Sequence, residues 1–319
     1  MKRWYSLNDV ERSNPVVAIG VYDGVHRGHR TLVRRALADA RAADRPMVVL
    51  TFDPNPAEVV RPDPPTRLST LAQRLLLLEW LGVDATLVLP FDQDTARQSP
   101  RQFVAEVLVE SLGASAVVVG ENFRFGYRAS GDVAALNEFG GPHGLTVDAV
   151  PLLRQELLGR QDVPISSTEV RRLVADGDVA AAARGLARPH RVEGEVVQGD
   201  QRGRELGYPT ANVRTTRLAA VPADGVYAGR LVVSPYGTEQ VTYPAAISVG
   251  DNPTFDGQER RVEAYAIGLV DPAVDFYGKH VAVDFVSRLR RQLTFTSAAA
   301  LTQQMAADVE DAKAHLGLA

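Results

Sequence analysis

Residues 20–30, Gly-Val-Tyr-Asp-Gly-Val-His-Arg-Gly-His-Arg, combine residue types that could bind a phosphate group. The segment lies between an apolar run and a helical pattern, which predicts a glycine-rich turn between a buried strand and a helix. His26 and His29 are three residues apart, so both imidazoles can point to one side of a helical turn. The N-terminus of a helix favours an anion, and Gly24 and Gly28 would let that anion approach the backbone. The alternative is an ordinary strand–helix connection with solvated histidines.

Two further polar segments follow predicted strands. Residues 51–56, Thr-Phe-Asp-Pro-Asn-Pro, form a loop stiffened by two prolines in which Asn55 offers a donor and an acceptor; the alternative is a rigid surface turn. Residues 120–126 alternate two aromatic rings with Asn122 and Arg124, which could stack on a flat ring and bond its edge, unless the rings belong to the core. Ligands of open α/β sheets bind beyond the carboxyl ends of strands, so both segments are candidates for one site.

Residues 165–171, Ile-Ser-Ser-Thr-Glu-Val-Arg, begin another helical pattern. The hydroxyls of Ser167 and Thr168 and the free N–H groups of the first turn could bind phosphate, with Arg171 as a forked donor. A serine or threonine before Glu169 is equally typical of a plain helix cap, so both interpretations stay open.

Residues 199–212, Gly-Asp-Gln-Arg-Gly-Arg-Glu-Leu-Gly-Tyr-Pro-Thr-Ala-Asn, are rich in glycine and basic side chains. Glycines such as Gly199 and Gly203 let backbone N–H groups wrap a polyphosphate, although the segment is not a Walker A sequence. Thr210 and Asn212 alternate and would face one way on a strand, where their oxygens suit a Mg²⁺ ion held mainly by phosphates. A long hairpin loop is the alternative.

One carboxylate stands in an apolar strand pattern at residues 261–265. Glu263 could orient or deprotonate an attacking hydroxyl, and the alternative is a glutamate that faces solvent. The basic segment 287–291 is likewise either a solvated edge or an anion contact.

The elements that must position these residues divide the chain into two parts. In the first part strands alternate with helices, which predicts a parallel sheet covered on both faces. The predicted strands are residues 16–21, 47–51, 85–89, 116–119 and 145–150, and the predicted helices are 31–41, 71–81, 101–111, 133–139, 167–175 and 179–184.

After about residue 186 the pattern changes to short strands separated by glycine and proline. These strands are residues 191–197, 226–233, 242–249, 262–269 and 281–286, and a helix at 298–316 follows them. The pattern predicts a small antiparallel barrel or sandwich closed by a C-terminal helix.

Composition excludes several classes of protein. The chain has 319 residues, 45% hydrophobic and 23% charged, with a net charge of −4, so it is long enough for two domains and has no general attraction for nucleic acid. It contains no cysteine, which fits a reducing compartment. No apolar stretch approaches the ~20 residues of a spanning helix, and the first residues lack the apolar core of a signal peptide. We therefore expect a cytoplasmic protein without nucleic-acid or membrane partners, a monomer or a transient homo-oligomer.

Taken in order, the motifs resemble those of the bacterial bifunctional riboflavin kinase/FMN adenylyltransferases, also called FAD synthetases. The resemblance rests on GVYDGVHRGH, ISSTEVR and GYPTAN and extends over nearly the whole chain. It implies a Rossmann-like nucleotidyltransferase domain at residues 1–186 and a flavokinase barrel with a C-terminal helix at 187–319. The barrel would transfer the γ-phosphoryl group of ATP to riboflavin, and the first domain would join the resulting FMN to AMP from a second ATP and release pyrophosphate.

The resemblance also implies roles for individual residues. His26 and His29 would hold the ATP phosphates and stabilise the charge that moves onto pyrophosphate, and Glu263 would be the base of the kinase. The implied ATP- and phosphate-binding residues are Gly20, Gly24, Gly28, Ser167, Thr168, Arg171, Gly199 and Gly203. The implied flavin-binding residues are Asp53, Asn55, Asn122, Phe123, Phe125 and Arg290. The implied Mg²⁺ ligands are Thr210 and Asn212.

The sequence departs from the family pattern at Asn55, where the family usually has histidine in an Asp-Pro-His-Pro loop. Asparagine keeps a donor and an acceptor but cannot become cationic. If the histidine mainly positions a phosphate, adenylyl transfer survives; if its charge matters, the loss costs about 10²-fold in rate. Tyr22, where phenylalanine is common, is a milder change.

Three other functions compete with the bifunctional enzyme. The departure at Asn55 motivates a monofunctional riboflavin kinase with an impaired adenylyltransferase half. A flavin or nucleotide sensor without turnover, and a nucleotidyltransferase with another acceptor, are the remaining alternatives.

Overall fold

The computed structural model describes residues 1–157, 160–198, 208–254, 257–269 and 276–318. The chain forms two compact units, the first made of Met1–Pro65 with Thr70–Ser166 and the second of Thr66–Ser69 with Ser167–Ala319. The sequence indicates a boundary between two functional domains after residue 186. That boundary stays a prediction.

A six-stranded parallel sheet forms the centre of the first unit. Its strands lie in the order β1-β4-β3-β2-β5-β6, and every neighbouring pair is parallel. The strands are β1 (Lys2–Trp4), β2 (Val16–Ile19), β3 (Met47–Asp53), β4 (Ala85–Pro90), β5 (Ala116–Gly120) and β6 (Thr146–Val150). All four residues of β2 are buried, as expected for a strand covered on both faces.

Helices cover both faces of this sheet. They are α1 (Arg27–Ala42), α2 (Pro56–Val60), α3 (Leu71–Trp80), α4 (Gln93–Arg97), α5 (Pro100–Gln102), which continues as a π-helix over Phe103–Ser111, and α6 (Val133–Gly140). Val17 and Ile19 pack into one apolar core with the π-helix and α6, whereas Val16 and Ala18 pack into a second core with α1 and α3. An antiparallel hairpin, β7 (Arg154–Leu157) and β8 (Arg160–Pro164), follows the sheet.

The strand order reverses between β2 and β5. The chain steps outward from β2 through β3 to β4 and then returns to the other side of β2 to form β5. In an open parallel sheet such a reversal leaves a crevice at the carboxyl ends of the two neighbouring strands. Residues 20–30 follow β2 and residues 120–126 follow β5, so two of the candidate segments lie beside this crevice.

The second unit is a closed antiparallel barrel preceded by two helices, α7 (Ser167–Ala175) and α8 (Val179–Leu186). Its strand order is β10-β13-β12-β11-β14-β9, and β9 pairs with β10 to close the ring. The strands are β9 (His190–Val197), β10 (Thr210–Arg214), β11 (Gly225–Val233), β12 (Val241–Thr254), β13 (Gly257–Ala266) and β14 (His280–Arg290), followed by α9 (Ala298–Leu316). The closed ring decides between the barrel and the sandwich that the sequence left open.

Several predicted boundaries are wrong. The strands predicted at residues 242–249 and 262–269 are Val241–Thr254 and Gly257–Ala266. The sequence indicated a helix from residue 31, but α1 begins at Arg27, because the side chain of His26 caps it. The pattern also gave no indication of β1, α2, α4 and the β7–β8 hairpin. Within the described residues, no helix is both long enough and apolar enough to cross a membrane.

His190 is a buried histidine at the start of β9. Its side chain is 1% exposed, and Nε2 lies 2.6 Å from the carbonyl oxygen of Ala220, which makes this nitrogen the donor of a neutral ring. Burial lowers the pKa of His190 to about 4, against an ordinary value of 6.5.

We predict that His190 makes the protein less stable in acid. Between pH 6.5 and 4 the unfolded state binds a proton at this ring and the folded state does not, so the free energy of unfolding falls as pH drops through this window. The full loss is about 3 kcal/mol. His190→Gln keeps an N–H donor without titrating and should flatten the dependence, measured as urea unfolding at pH 7.5 and pH 5. The control is His143→Gln, at an exposed histidine. The prediction would be contradicted if the free energy of unfolding fell equally with pH in wild type and His190→Gln.

Candidate functional site

The turn after β2 brings His26 and His29 together. Their rings are stacked, with centroids 3.6 Å apart and planes inclined by 20°. His26 is the N-cap of α1, and its Nδ1 accepts the backbone N–H of His29 at 3.3 Å. A nitrogen that accepts this bond has no proton, so the neutral His26 ring holds its proton at Nε2.

The backbone of this turn is strained. Tyr22 and Val25 adopt positive φ angles of 54° and 40°, and Gly24 has φ 78°. Such conformations cost free energy for residues other than glycine and cluster at functional sites. The Tyr22 ring is fully buried and makes a T-shaped contact with the His29 ring, at a centroid distance of 5.1 Å. Burial raises the pKa of the Tyr22 phenol, and its hydroxyl has no hydrogen-bond partner among the described residues.

Gly28 has no room for a side chain. A Cβ atom there would lie 2.9 Å from the backbone oxygen of Ile165 and 3.1 Å from the His26 ring. The oxygen belongs to a backbone that cannot rotate away, so a larger residue would displace the turn or the ring. Gly20 also lies beside this turn, because a Cβ there would approach the Tyr22 ring to 3.2 Å.

The loop after β3 is held by Asn55. Its Oδ1 accepts the backbone N–H of Ala57 at 3.0 Å and so caps α2, and the residue is 9% exposed. The amide oxygen is therefore engaged within the loop, and the amide N–H₂ remains as a donor. The Oδ1 atom of Asp53, the last residue of β3, is buried and has no hydrogen-bond partner among the described residues.

The segment after β5 divides between surface and core. Asn122 is exposed and Phe123 is half-buried. The Phe125 ring is 8% exposed, stacks on Phe123 at 5.5 Å and packs in the sheet core beside Phe103. This geometry supports the core interpretation of Phe125. Phe123 also packs against that core, and ligand binding by Asn122 and Phe123 stays a prediction.

Ser167, Thr168 and Arg171 lie in the first two turns of α7, which belongs to the second compact unit. Thr168 is exposed, and the other two are half-buried. Glu169 is engaged with Arg172 through two hydrogen bonds of 2.7 and 3.1 Å. The phosphate-binding role of this segment stays a prediction.

The barrel places Asn212 and Glu263 directly opposite each other. β10 pairs with β13 in a register that joins Asn212 to Glu263 and Thr210 to Tyr265. Ala211 between them is buried whereas Thr210 and Asn212 are half-buried, so the two polar side chains share the face away from the core. This confirms that they face one way on a strand, and it places Glu263 beside them. Gly199 and Gly203 lie outside the described residues.

Arg290 is engaged with the C-terminal helix. Its Nε and Nη2 donate to the two carboxylate oxygens of Asp308 at 2.7 and 2.6 Å, and Nη1 donates to the backbone oxygen of Arg291. Both side chains of the pair are largely buried, at 19% and 7% exposure. This forked pair holds α9 on the barrel, and flavin binding by Arg290 stays a prediction without support from these contacts.

Sequence reasoning missed a buried polar pair under the first site. Arg74 of α3 is 2% exposed and donates to the hydroxyl of Thr51, which is fully buried at the end of β3. An arginine within a leucine-rich helical pattern was the available signal, but arginine is usually exposed.

Known proteins resemble both parts of the chain. The FAD synthetase family model matches residues 9–169, and the riboflavin kinase family model matches residues 186–316. The chain belongs to the bifunctional riboflavin kinase/FMN adenylyltransferase family. Members from Escherichia coli and Pseudomonas fluorescens are 34% and 35% identical to it, over 98% and 95% of this chain and 96% and 94% of theirs. A member from Bacillus subtilis is 30% identical over 95% of this chain and 92% of its own.

A solved structure is similar in fold to this chain. It is described as a macrolide-efflux protein from Streptococcus pneumoniae, is 31% identical, covers 98% of each chain and superposes with a TM-score of 0.84. Because both domains of the bifunctional family are present, the alternative of a kinase with an impaired adenylyltransferase half is not favoured.

We predict that Gly28→Ala lowers FMN adenylylation by about 10²-fold and leaves riboflavin phosphorylation unchanged. The new methyl group meets the Ile165 oxygen and displaces the histidine turn by a fraction of an ångström. The measurement is the rate of FAD formation from supplied FMN. Gly141→Ala is the matched control, since its Cβ would have open space. Equal rates for the two variants would contradict the prediction.

Proposed function

We propose that this chain makes FAD in two steps, phosphorylating riboflavin with residues 187–319 and adenylylating the resulting FMN with residues 1–186. The matches of an FAD synthetase model to residues 9–169 and of a riboflavin kinase model to residues 186–316 support this division. The observation that carries the first activity is the stacked pair of His26 and His29 at the strand-order reversal.

In adenylyl transfer a phosphate oxygen of FMN attacks the α-phosphorus of ATP. The bond from that phosphorus to the oxygen bridging to the β-phosphorus breaks, and pyrophosphate leaves with the electron pair. His26 supports this step because its capping bond leaves the proton of the neutral ring on Nε2. A fixed donor at the leaving group stabilises charge without reorganisation during the reaction. We assign the same role to His29, and phosphate binding to Ser167, Thr168 and Arg171.

In the kinase step the ribityl 5′-hydroxyl attacks the γ-phosphorus of ATP and ADP leaves. Glu263 would accept the proton of that hydroxyl. Its position directly across the ladder from Asn212 supports this role, since the base then lies beside the residues proposed to gather the phosphates.

Mg²⁺ fits the oxygen donors at this position. Thr210 and Asn212 offer a hydroxyl and an amide oxygen on one face of β10, and both are half-buried. Within the described part of the chain, no group of three or more histidine, cysteine, aspartate or glutamate residues could hold a metal ion. Two neutral oxygens suit an ion held mainly by ATP phosphates. Such an ion would neutralise phosphate charge, while the two residues orient it.

The substrates are therefore riboflavin, FMN and ATP, and the use of ATP supports the expected cytoplasmic location. We expect the enzyme to act as a monomer or a transient homo-oligomer. The test is chromatographic separation of flavins after incubation with ATP and Mg²⁺, started separately from riboflavin and from FMN. FAD should form in both reactions. FMN without any FAD would refute the adenylyltransferase assignment, and tight FMN binding without turnover would favour a sensor.

We predict that single substitutions separate the two activities. His29→Ala should abolish FAD formation and keep FMN formation, because it removes a donor from the nucleotidyltransferase turn only. Asn212→Ala should abolish FMN formation and keep FAD formation from supplied FMN. Both rates are measured for both variants. A matched loss of both activities in either variant would contradict two independent sites.

We predict that Asn55→His changes the rate of FAD formation by less than about 3-fold, which is under 1 kcal/mol of barrier. Asparagine already caps α2, and its amide keeps a donor for the ligand. The variant is compared with wild type at saturating FMN and ATP. A gain of 10-fold or more would show that the chain's asparagine impairs adenylyl transfer.

A further inference from the structure

A buried arginine lies beneath the loops that hold the first proposed site. Among the residues whose burial the structure describes, Arg74 is the largest fully buried side chain. Burying a guanidinium group is costly unless hydrogen bonds compensate, so its partners indicate what it does. Its Nη1 donates to the backbone oxygen of Phe52 at 2.8 Å and to Thr51 Oγ1 at 3.1 Å.

Thr51 extends these bonds to the histidine turn. Its hydroxyl donates to the backbone oxygen of Val21 at 3.1 Å. A hydroxyl has a single proton, so Thr51 accepts a hydrogen bond from Arg74 and donates one to Val21. Donors and acceptors therefore follow a single order from Arg74 through Thr51 to Val21. Val21 is covalently bonded to Tyr22, the first strained residue of the turn, and Phe52 is bonded to Asp53, the first residue of the Asn55 loop.

The Thr51 hydroxyl bond lies just beyond the end of the backbone hydrogen bonds between β2 and β3. The β2–β3 pairing runs from Val16–Met47 to Ile19–Leu50, and Gly20 N–H then donates to the Leu50 oxygen at 3.1 Å. The side chain of Thr51 supplies the next bond between the two segments, one residue further along each. One guanidinium nitrogen is thus connected to both the turn and the loop.

We propose that Arg74 and Thr51 are positioning residues for adenylyl transfer, which fix the histidine turn relative to the Asp53–Asn55 loop. The inference rests on the proposed function of the turn. Both side chains are buried, and we assign neither of them a contact with substrate. Removing the hydroxyl removes the last of these hydrogen bonds between the turn and β3, so the turn that carries His26 and His29 relaxes away from the geometry that the transition state needs.

The test is Thr51→Val in the full chain, with Thr86→Val as the matched control. Both threonines are fully buried, on neighbouring strands of the same sheet, and valine has nearly the shape of threonine at either position. The Thr86 hydroxyl differs in that its one described hydrogen bond is to the sulfur of Met1. Thr51→Val should lower kcat for FMN adenylylation about 10-fold to 100-fold and change the KM for ATP less than about 3-fold. Thr86→Val should change neither, and Thr51→Ser, which keeps the hydroxyl, should recover most of the rate.

Tryptophan fluorescence controls for folding, because Trp4 and Trp80 are the two tryptophans of the chain and both belong to the first unit. If Thr51→Val unfolds this unit, Arg74→Met decides on the same measurements, since it removes the donor of both hydrogen bonds and keeps a side chain of similar length. A kcat that is the same for Thr51→Val and Thr86→Val, or a rate that Thr51→Ser fails to recover, would overturn the proposal.

A second readout separates this proposal from the proposed function. The imidazole resonances of His26 and His29 in nitrogen-15 NMR spectra report the turn without any substrate. Thr51→Val should shift them, and Thr86→Val should not. A wild-type chain that makes no FAD refutes the adenylyltransferase, whereas unshifted resonances in folded Thr51→Val refute the positioning role.

Discussion

The hydrogen bond from the His29 backbone to the His26 ring determines most of the geometry of the first unit's candidate site. It begins α1 at Arg27, sets the proton of His26 on Nε2, and brings the two rings within 3.6 Å of each other. A ring that caps a helix cannot rotate without exposing an unsatisfied N–H group, so the donor direction is fixed before any ligand arrives. The absence of a side chain at Gly28 is part of the same constraint, because a methyl group would press on the His26 ring.

In the barrel, strand register brings the candidate residues together. Its candidate residues stand on strands, where alternation directs every second side chain away from the core and ladder register decides which residues become neighbours. Ala211 and Val213 face inward while Thr210 and Asn212 face outward. Because β10 pairs with β13, Glu263 becomes the neighbour of Asn212 although 51 positions separate them in sequence. A shift of one residue in that register would turn Glu263 toward the core, so the hydrophobic pattern of both strands maintains the polar pair.

Elements whose position depends on burial alone could be predicted from the sequence. The apolar runs of β2 to β5 and the pattern of α9 were predictable because period and apolarity reflect the faces that they bury. The start of α1 was not, since histidine is outside the usual set of capping residues and only the folded turn shows that its ring accepts the bond. The pairing of Asn212 with Glu263 depends on the closure of the whole barrel. Arg74 was missed because its burial depends on acceptors from a distant strand, which no local pattern encodes.

The departure at Asn55 is best understood beside His26. In the first turn an imidazole nitrogen caps α1, and the neutral ring keeps its proton on the second nitrogen. In the loop after β3 an amide oxygen caps α2, and its N–H₂ group remains as a donor. Asparagine and histidine can therefore fill the same capping position with an acceptor and still present a donor. What asparagine cannot supply is a positive charge. The loop geometry accordingly survives the exchange, and any cost to the chemistry would come from the missing charge alone.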